Sequence, residues 1–165
     1  AATDPDLPAR TLKDLIAWND AHRDRELPYF GQELFEQAEA KGPLSDQSYR
    51  DARAKSQRLA GAEGIDALLE EHRLDALISP TGGPAWPIDL INGDHYRGSS
   101  STPAAVAGYP HITVPMGLVS ELPVGLSFFA SAWSEGTLLK FAYTFEQATH
   151  HRRPPRFLPS VELPR

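Results

Sequence analysis

Residues 74–133 read LDALISPTGGPAWPIDLINGDHYRGSSSTPAAVAGYPHITVPMGLVSELPVGLSFFASAW, and the reading of this stretch decides the fold. Three short apolar runs in it, at 76–78, 112–114 and 124–130, are each bounded by Pro or Gly, the punctuation of strand ends. The third run is apolar at nearly every position, as expected of a strand covered on both faces. The second and third are close enough in sequence to pair as an antiparallel hairpin. A long loop rich in Gly, Pro and Ser separates the first two runs and ends in a brief helix. Thr102 is the expected N-cap of that helix, Pro103 its first residue and Gly108 its terminator. Loops of this kind usually carry function in α/β proteins.

The same residues carry a resemblance. The ordered motifs are Leu74-Asp75-Ala76-Leu77-Ile78-Ser79-Pro80-Thr81, Gly83-Pro84-Ala85-Trp86, Asn92-Gly93-Asp94 and Ser99-Ser100-Ser101. They continue with Pro103-Ala104-Ala105-Val106-Ala107-Gly108-Tyr109-Pro110, Ile112-Thr113-Val114-Pro115-Met116-Gly117 and Leu122-Pro123-Val124-Gly125-Leu126-Ser127-Phe128. Together they resemble the C-terminal third of an amidase signature family enzyme, with weaker matches from Thr11 to Leu158, and are most similar to its bacterial, peptide amidase branch. The resemblance implies an α/β/α layered fold, of which this chain would hold a small mixed sheet of about three strands flanked by helices. It implies hydrolysis of a carboxamide to carboxylate and ammonia by a Ser nucleophile, a second Ser and a Lys. Those three residues belong to a Gly/Ser-rich segment and its surroundings that have no counterpart among these 165 residues. No cofactor is implied; the partner is a small-molecule or peptide amide substrate.

Outward from this stretch, residues 1–10 read as linker, 11–73 as a helical segment, 74–158 as the core and 159–165 as tail. Thr11 and Asp14 form a capping-box pattern opening a helix with Leu12, Leu15, Ile16 and Asn19 on one face, ending near Arg23. A second helix is expected over 31–40 with Leu34, Phe35 and Ala38 inward, stopped by Gly42 and Pro43. Ser45 is the expected cap of a third, with Tyr49, Ala52, Ser56, Leu59 and Ala60 inward. Gly61 and Gly64 should break it before a last helical piece over 65–72. Near the other end, Ser134 opens a helix to about His150 whose Leu138, Phe141, Ala142, Phe145 and Thr149 recur at the spacing of a helix laid on a sheet.

The balance of 22 acidic and 16 basic side chains, a net charge of −6, argues against a nucleic-acid surface. With no Cys, disulfides and thiolate chemistry are excluded, and no apolar run approaches the length of a membrane span. The first residues do not read as a signal peptide. A cytoplasmic location is the default, and a periplasmic one is equally compatible with the absence of Cys.

Several constellations have a plain reading beside a chemical one. Ser99, Ser100 and Ser101 precede a helix, where hydroxyls cap backbone N–H groups, and no Gly-x-Ser-x-Gly elbow surrounds them. With His95 and Asp94 they could form a local triad, the basis of one alternative: an independent Ser hydrolase. Lys13, Lys41, Lys55 and Lys140 all fall on solvated faces. The six His residues show no metal-ligand spacing. Asn92-Gly93-Asp94 is a turn signal first and a polar contact second. Trp86 is either a plug closing the loop or a wall of the acyl pocket. The residues expected to touch substrate are Trp86, Asn92, Ser99 and Ser100. A second alternative is a non-catalytic domain that packs with a partner or forms a homo-oligomer through exposed apolar surface.

Overall fold

The computed structural model describes residue 7 and residues 9–157. The expected linker residues 1–6 and 8 and the tail over 159–165 lie outside them. The chain divides into two compact units, one up to Arg50 and one from Asp51.

In the first unit, Thr11 caps helix α1 (Leu12–Ala21) through the complete capping box: Thr11 Oγ1 accepts from the Asp14 N–H, and the Asp14 carboxylate accepts from the Thr11 N–H. That carboxyl is held below its ordinary pKa, first by the backbone N–H of Arg10 and then by Thr11. A single turn, α2 (Arg23–Glu26), follows, and then α3 (Glu33–Glu39). Leu34, Phe35 and Ala38, expected inward, are all exposed. The reason is that α3 is under two turns long and is tied to α1 at its N-cap, Gln32, instead of along a face. Gln32 is the one buried side chain among the described residues of this unit. It accepts from Asn19 Nδ2 at 3.0 Å and donates to the Ile16 carbonyl at 3.1 Å.

Helix α4 (Gln47–Ala60) begins two residues after Ser45, which lies in a turn and accepts from the Arg50 guanidinium through its carbonyl. Its expected inward face is exposed at Tyr49, Ala52, Ser56 and Leu59, and half-buried only at Ala60. Gly61 and Gly64 do not break the helix. They widen it into a π-helical stretch (Gly61–Asp66) that runs directly into α5 (Ala67–His72). A Cβ on Gly61 would sit 3.1 Å from Tyr109 Oη, and one on Gly64 would sit 2.5 Å from the Leu59 carbonyl oxygen. Glycine is therefore what lets the wide turn close. Arg73, in the left-handed conformation at φ 52°, ends α5.

The sheet of the second unit consists of β1 (Leu77–Pro80), β2 (His111–Val119) and β3 (Leu122–Phe129) in the order β1-β3-β2. All three expected strands are present. Both pairings are antiparallel, because β2 and β3 share a two-residue turn and β1 adds to the free edge of β3. Ser120 and Glu121 in that turn both have positive φ, the type I′ geometry that suits a hairpin's twist. A bulge at Met116 shifts the register between Pro115 and Gly117.

Pleating divides the sheet into two faces. Phe128, Leu126, Ile112 and Val114 share one, covered by α7 (Glu135–Thr149) through contacts such as Phe128 edge-on to Phe145 at 6.2 Å. Leu138 and Ala142 of α7 are buried; Phe141, Phe145 and Thr149 are half-buried, the face read from the sequence. Leu77, Phe129, Ser127 and Thr113 share the other face, beneath α6 (Ser101–Ala107) and the π stretch. The core joins Ile65, Leu69, Ala104, Phe128, Phe129, Ala130, Leu138 and Ala142. β3 is thus covered on both faces at its Phe129 end, as its apolar run predicts.

Candidate functional site

The passage between β1 and α6 leaves and re-enters the sheet at one point. The Thr81 N–H donates to the Gly125 carbonyl at 2.8 Å, its carbonyl accepts from the Ser100 N–H at 3.2 Å, and Gly82 bridges Ser99. Residues 82–99 therefore form a closed loop beside the open end of β3. Between loop and sheet lies a cleft of about 470 Å³ lined by Thr81, Trp86, Tyr96, Ser99, Thr113 and Pro115, among others. The glycines at 82, 83, 98 and 125 bring backbone to its surface, and no charged side chain is in its lining.

The loop is held by its own side chains. Trp86 and Tyr96 meet edge-on at 6.3 Å, and the Trp86 indole N–H points at Asp94 Oδ1, 3.4 Å away. Asp89 organises the tip: it accepts from the Ile91 and Asn92 N–H groups at 2.9 Å and from Asn92 Nδ2 at 2.8 Å. These bonds, the Asn92 backbone N–H foremost, keep the Asp89 carboxyl below its ordinary pKa. The turn lies at 90–92, earlier than Asn92-Gly93-Asp94 predicts: the Gly93 N–H closes it on the Asp89 carbonyl at 3.0 Å, and Gly93 leaves it at φ 80°.

The residues expected to touch substrate separate. Trp86 and Ser99 line the cleft; Asn92 faces Asp89, and Ser100 lies outside the lining, its hydroxyl buried without a hydrogen-bond partner among the described residues. Helix α6 begins two residues earlier than expected, with Ser100 at the N-cap in place of Thr102 and Pro103 inside the first turn. Its first N–H is met by a hydroxyl all the same: Ser101 donates to Ser99 Oγ at 3.3 Å. Gly108, left-handed at φ 77°, ends the helix as predicted.

A local triad is not assembled. His95 Nε2 faces Asp89 at 3.8 Å, Asp94 faces Trp86, and Ser99 Oγ pairs with Ser101 Oγ at 2.9 Å. Among the described residues no hydrogen bond joins a His to these serines, and all four Lys residues are exposed.

Sequence reading missed the floor of the cleft. Thr81 Oγ1 lies 2.5 Å from Thr113 Oγ1 and 2.8 Å from Ser127 Oγ, linking all three strand regions in one chain of hydroxyls. Ser127 is fully buried, whereas Thr113 is exposed. A Cβ on Gly125 would meet both threonine hydroxyls at 2.7 Å, so glycine there makes room for the pair. Strand alternation alone sets Ser79 and Thr81 on one face; only the register of β1 on β3 brings them opposite Ser127 and Gly125.

Comparison with known proteins places this arrangement. The family model described as Amidase matches residues 3–139, and the chain belongs to that family. A probable amidase of Arabidopsis thaliana is 36% identical over 92% of this chain and 26% of its own length. The solved peptide amidase from Stenotrophomonas maltophilia is 53% identical, with a TM-score of 0.83 over 91% of this chain and 30% of that one. A structure of the peptide amidase PAM in complex with the competitive inhibitor chymostatin matches at 55% identity and a TM-score of 0.87, covering 91% of this chain and 31% of that one. The chain thus spans less than a third of each of these relatives.

Proposed function

We propose that this chain is the C-terminal part of an amidase that cleaves a carboxamide C–N bond, giving carboxylate and ammonia, with a Ser-Ser-Lys triad outside these residues. The observation that carries the reading is the joint likeness in sequence and fold to peptide amidases over nearly the whole chain. In this scheme a Ser hydroxyl adds to the amide carbonyl, ammonia leaves, and water hydrolyses the acyl-enzyme. Backbone N–H groups of a Gly-rich segment outside the chain would hold the oxyanion. This chain contributes the sheet, the cleft and its loop. Trp86 and Ser99 act as cleft walls, while Asn92 and Ser100 shape the loop and helix around it.

The test is ammonia release from N-acetyl-L-leucinamide by the whole translation product and by these 165 residues alone. The whole product is expected to be active and the chain alone inactive, because loss of nucleophile and base leaves only residual catalysis. Hydrolysis by the chain alone, abolished by Ser100→Ala, would overturn this placement of the catalytic groups.

A second reading, self-association of the isolated chain, is favoured by an apolar groove of about 800 Å³ lined by Leu59, Leu68, Leu77, Pro103, Val106 and Phe129. Such surface favours association once covered. Sedimentation across a dilution series should show concentration-dependent dimers; a monomer throughout removes this reading.

A further inference from the structure

The hydroxyl chain under the cleft has a direction. Each hydroxyl donates one hydrogen, so Thr81 can donate to one neighbour at most, which leaves three orderings of Ser127, Thr81 and Thr113. The Ser127 end is fully buried, and its hydroxyl is bonded to Thr81. Were Ser127 to accept from Thr81, its own hydrogen would be enclosed with no acceptor among the described residues, the costly case for a buried donor. Were it to donate, only lone pairs would go unused. The buried end therefore has Ser127 donate to Thr81. Of the two orderings left, the one in which Thr81 also accepts from Thr113 strands the hydrogen of the half-buried Thr81. Thr81 therefore donates to Thr113, and the Thr113 hydrogen is left unspent at the exposed end, in the lining of the cleft.

We infer that Thr113 is a specificity-determining donor that reads a neutral carbonyl oxygen of the substrate, with Ser127 and Thr81 as positioning residues that fix its polarity. The lining bears no cation that would select a carboxylate, and its walls are aromatic and prolyl. The recognised group is therefore an uncharged acceptor held against apolar surface. Thr81 is itself anchored by backbone bonds to Gly125 and Ser100, so the donor's position is set by the sheet and not by a mobile side chain. The inference rests on the amidase reading, and it adds a second acceptor on the substrate besides the bond that is cleaved.

The experiment compares two amides of the same leucine skeleton in the whole translation product: N-acetyl-L-leucinamide, which carries a second carbonyl, and 4-methylpentanamide, which lacks it. Thr113→Val should lower the ratio of kcat/KM for the first amide over the second about tenfold, the worth of one hydrogen bond, through KM more than kcat. Thr113→Ser, which keeps the hydroxyl, should restore the ratio. Thr81→Val should weaken the preference by less than Thr113→Val, because Thr113 keeps its hydrogen but loses the partner that orients it. An equal fall for both amides, or an unchanged ratio in Thr113→Val, overturns the inference. If the wild-type product hydrolyses neither amide, the amidase reading fails separately. Calorimetric binding of N-acetyl-L-leucinamide to this chain then decides: about tenfold weakening in Thr113→Val upholds the donor role, and equal or absent binding overturns it.

Discussion

Helices α4 and α7 have 14 and 15 residues, and both repeat an apolar or small residue every three or four positions. Yet α7 buries Leu138 and Ala142 against the sheet, while α4 leaves Tyr49, Ala52 and Leu59 exposed. The period of the sequence creates a face in both cases, but a face becomes a packing surface only where another element supplies the opposite wall. For α7 that wall is the pair β2 and β3, which lies directly before it in the chain and is itself apolar on the facing side. For α4 no element of the described residues fills that role, and burial begins only at Gly61 and Ile65, beyond its end.

The largest expected effect falls on the buried side of this contrast. Leu138, 2% exposed, is one of the most enclosed side chains of the core. Leu138→Ala should cost about 3 kcal/mol of unfolding free energy, from lost transfer energy plus a residual cavity. Denaturant titration with an unchanged slope measures it; a loss below about 1 kcal/mol would mean that α7 is held no more firmly than α4.

A middle-sized effect is expected where the helix continuing from α4 first meets the core. Tyr109 Oη donates to Asp66 Oδ2 at 2.5 Å, and Ser131 Oγ donates to Asp66 Oδ1 at 2.6 Å. The bond to Asp66, then burial, then the negative charge of Asp66 raise the Tyr109 pKa above its ordinary value. The sign follows: the folded state keeps a proton that the unfolded chain releases near pH 10. The contribution is therefore fully present below that pH and is lost as pH rises through the folded-state pKa. Tyr109→Phe should cost about 1–2 kcal/mol at pH 8. The gap between parent and variant should narrow above pH 10, as read by unfolding at both pH values. A pH-independent gap would assign the loss to packing alone.

The smallest effect is predicted on α4. Leu59→Ser, at a position 50% exposed, should change stability by no more than about 0.5 kcal/mol. It should weaken self-association if the groove it lines is the contact, which sedimentation would show. A cost near that of Leu138→Ala would erase the contrast between the two helices.

This contrast also explains what the sequence disclosed. The strands, the hairpin and the face of α7 were legible because they rest on local signals: Pro and Gly at strand ends, unbroken apolarity in β3, and a wheel pattern next to its partner. The inward faces of α3 and α4 were not, since periodicity names a face without naming what covers it. The cap of α6 was misplaced because three consecutive serines and a threonine offer equivalent hydroxyls, and the bridge between Gly82 and Ser99 fixes the start of the helix from outside. In the cleft, Trp86 and Ser99 could be picked out by composition and position. Thr81, Thr113 and Ser127 could not, because they are 32 and 46 residues removed from one another along the two bonds and meet only through strand register.

The π stretch at Gly61–Asp66 has a consequence for how the helical run is read. Each α-helical residue advances the wheel by about 100°, and a wide turn absorbs extra chain without advancing it in step. The stretch therefore acts as a phase shifter between α4 and α5, letting the two keep independent wheels on one continuous rod. A projection drawn through Gly61 superimposes two unrelated faces and sets Leu59 and Leu69 about 80° apart, inside the width of one apolar stripe. Drawn separately, the wheel after the shift assigns Leu69 to the core, where it is 8% exposed, and leaves Leu59 outside it. Removing one residue at the shift would keep the rod helical but turn one half against the other, trading a length change for a rotation.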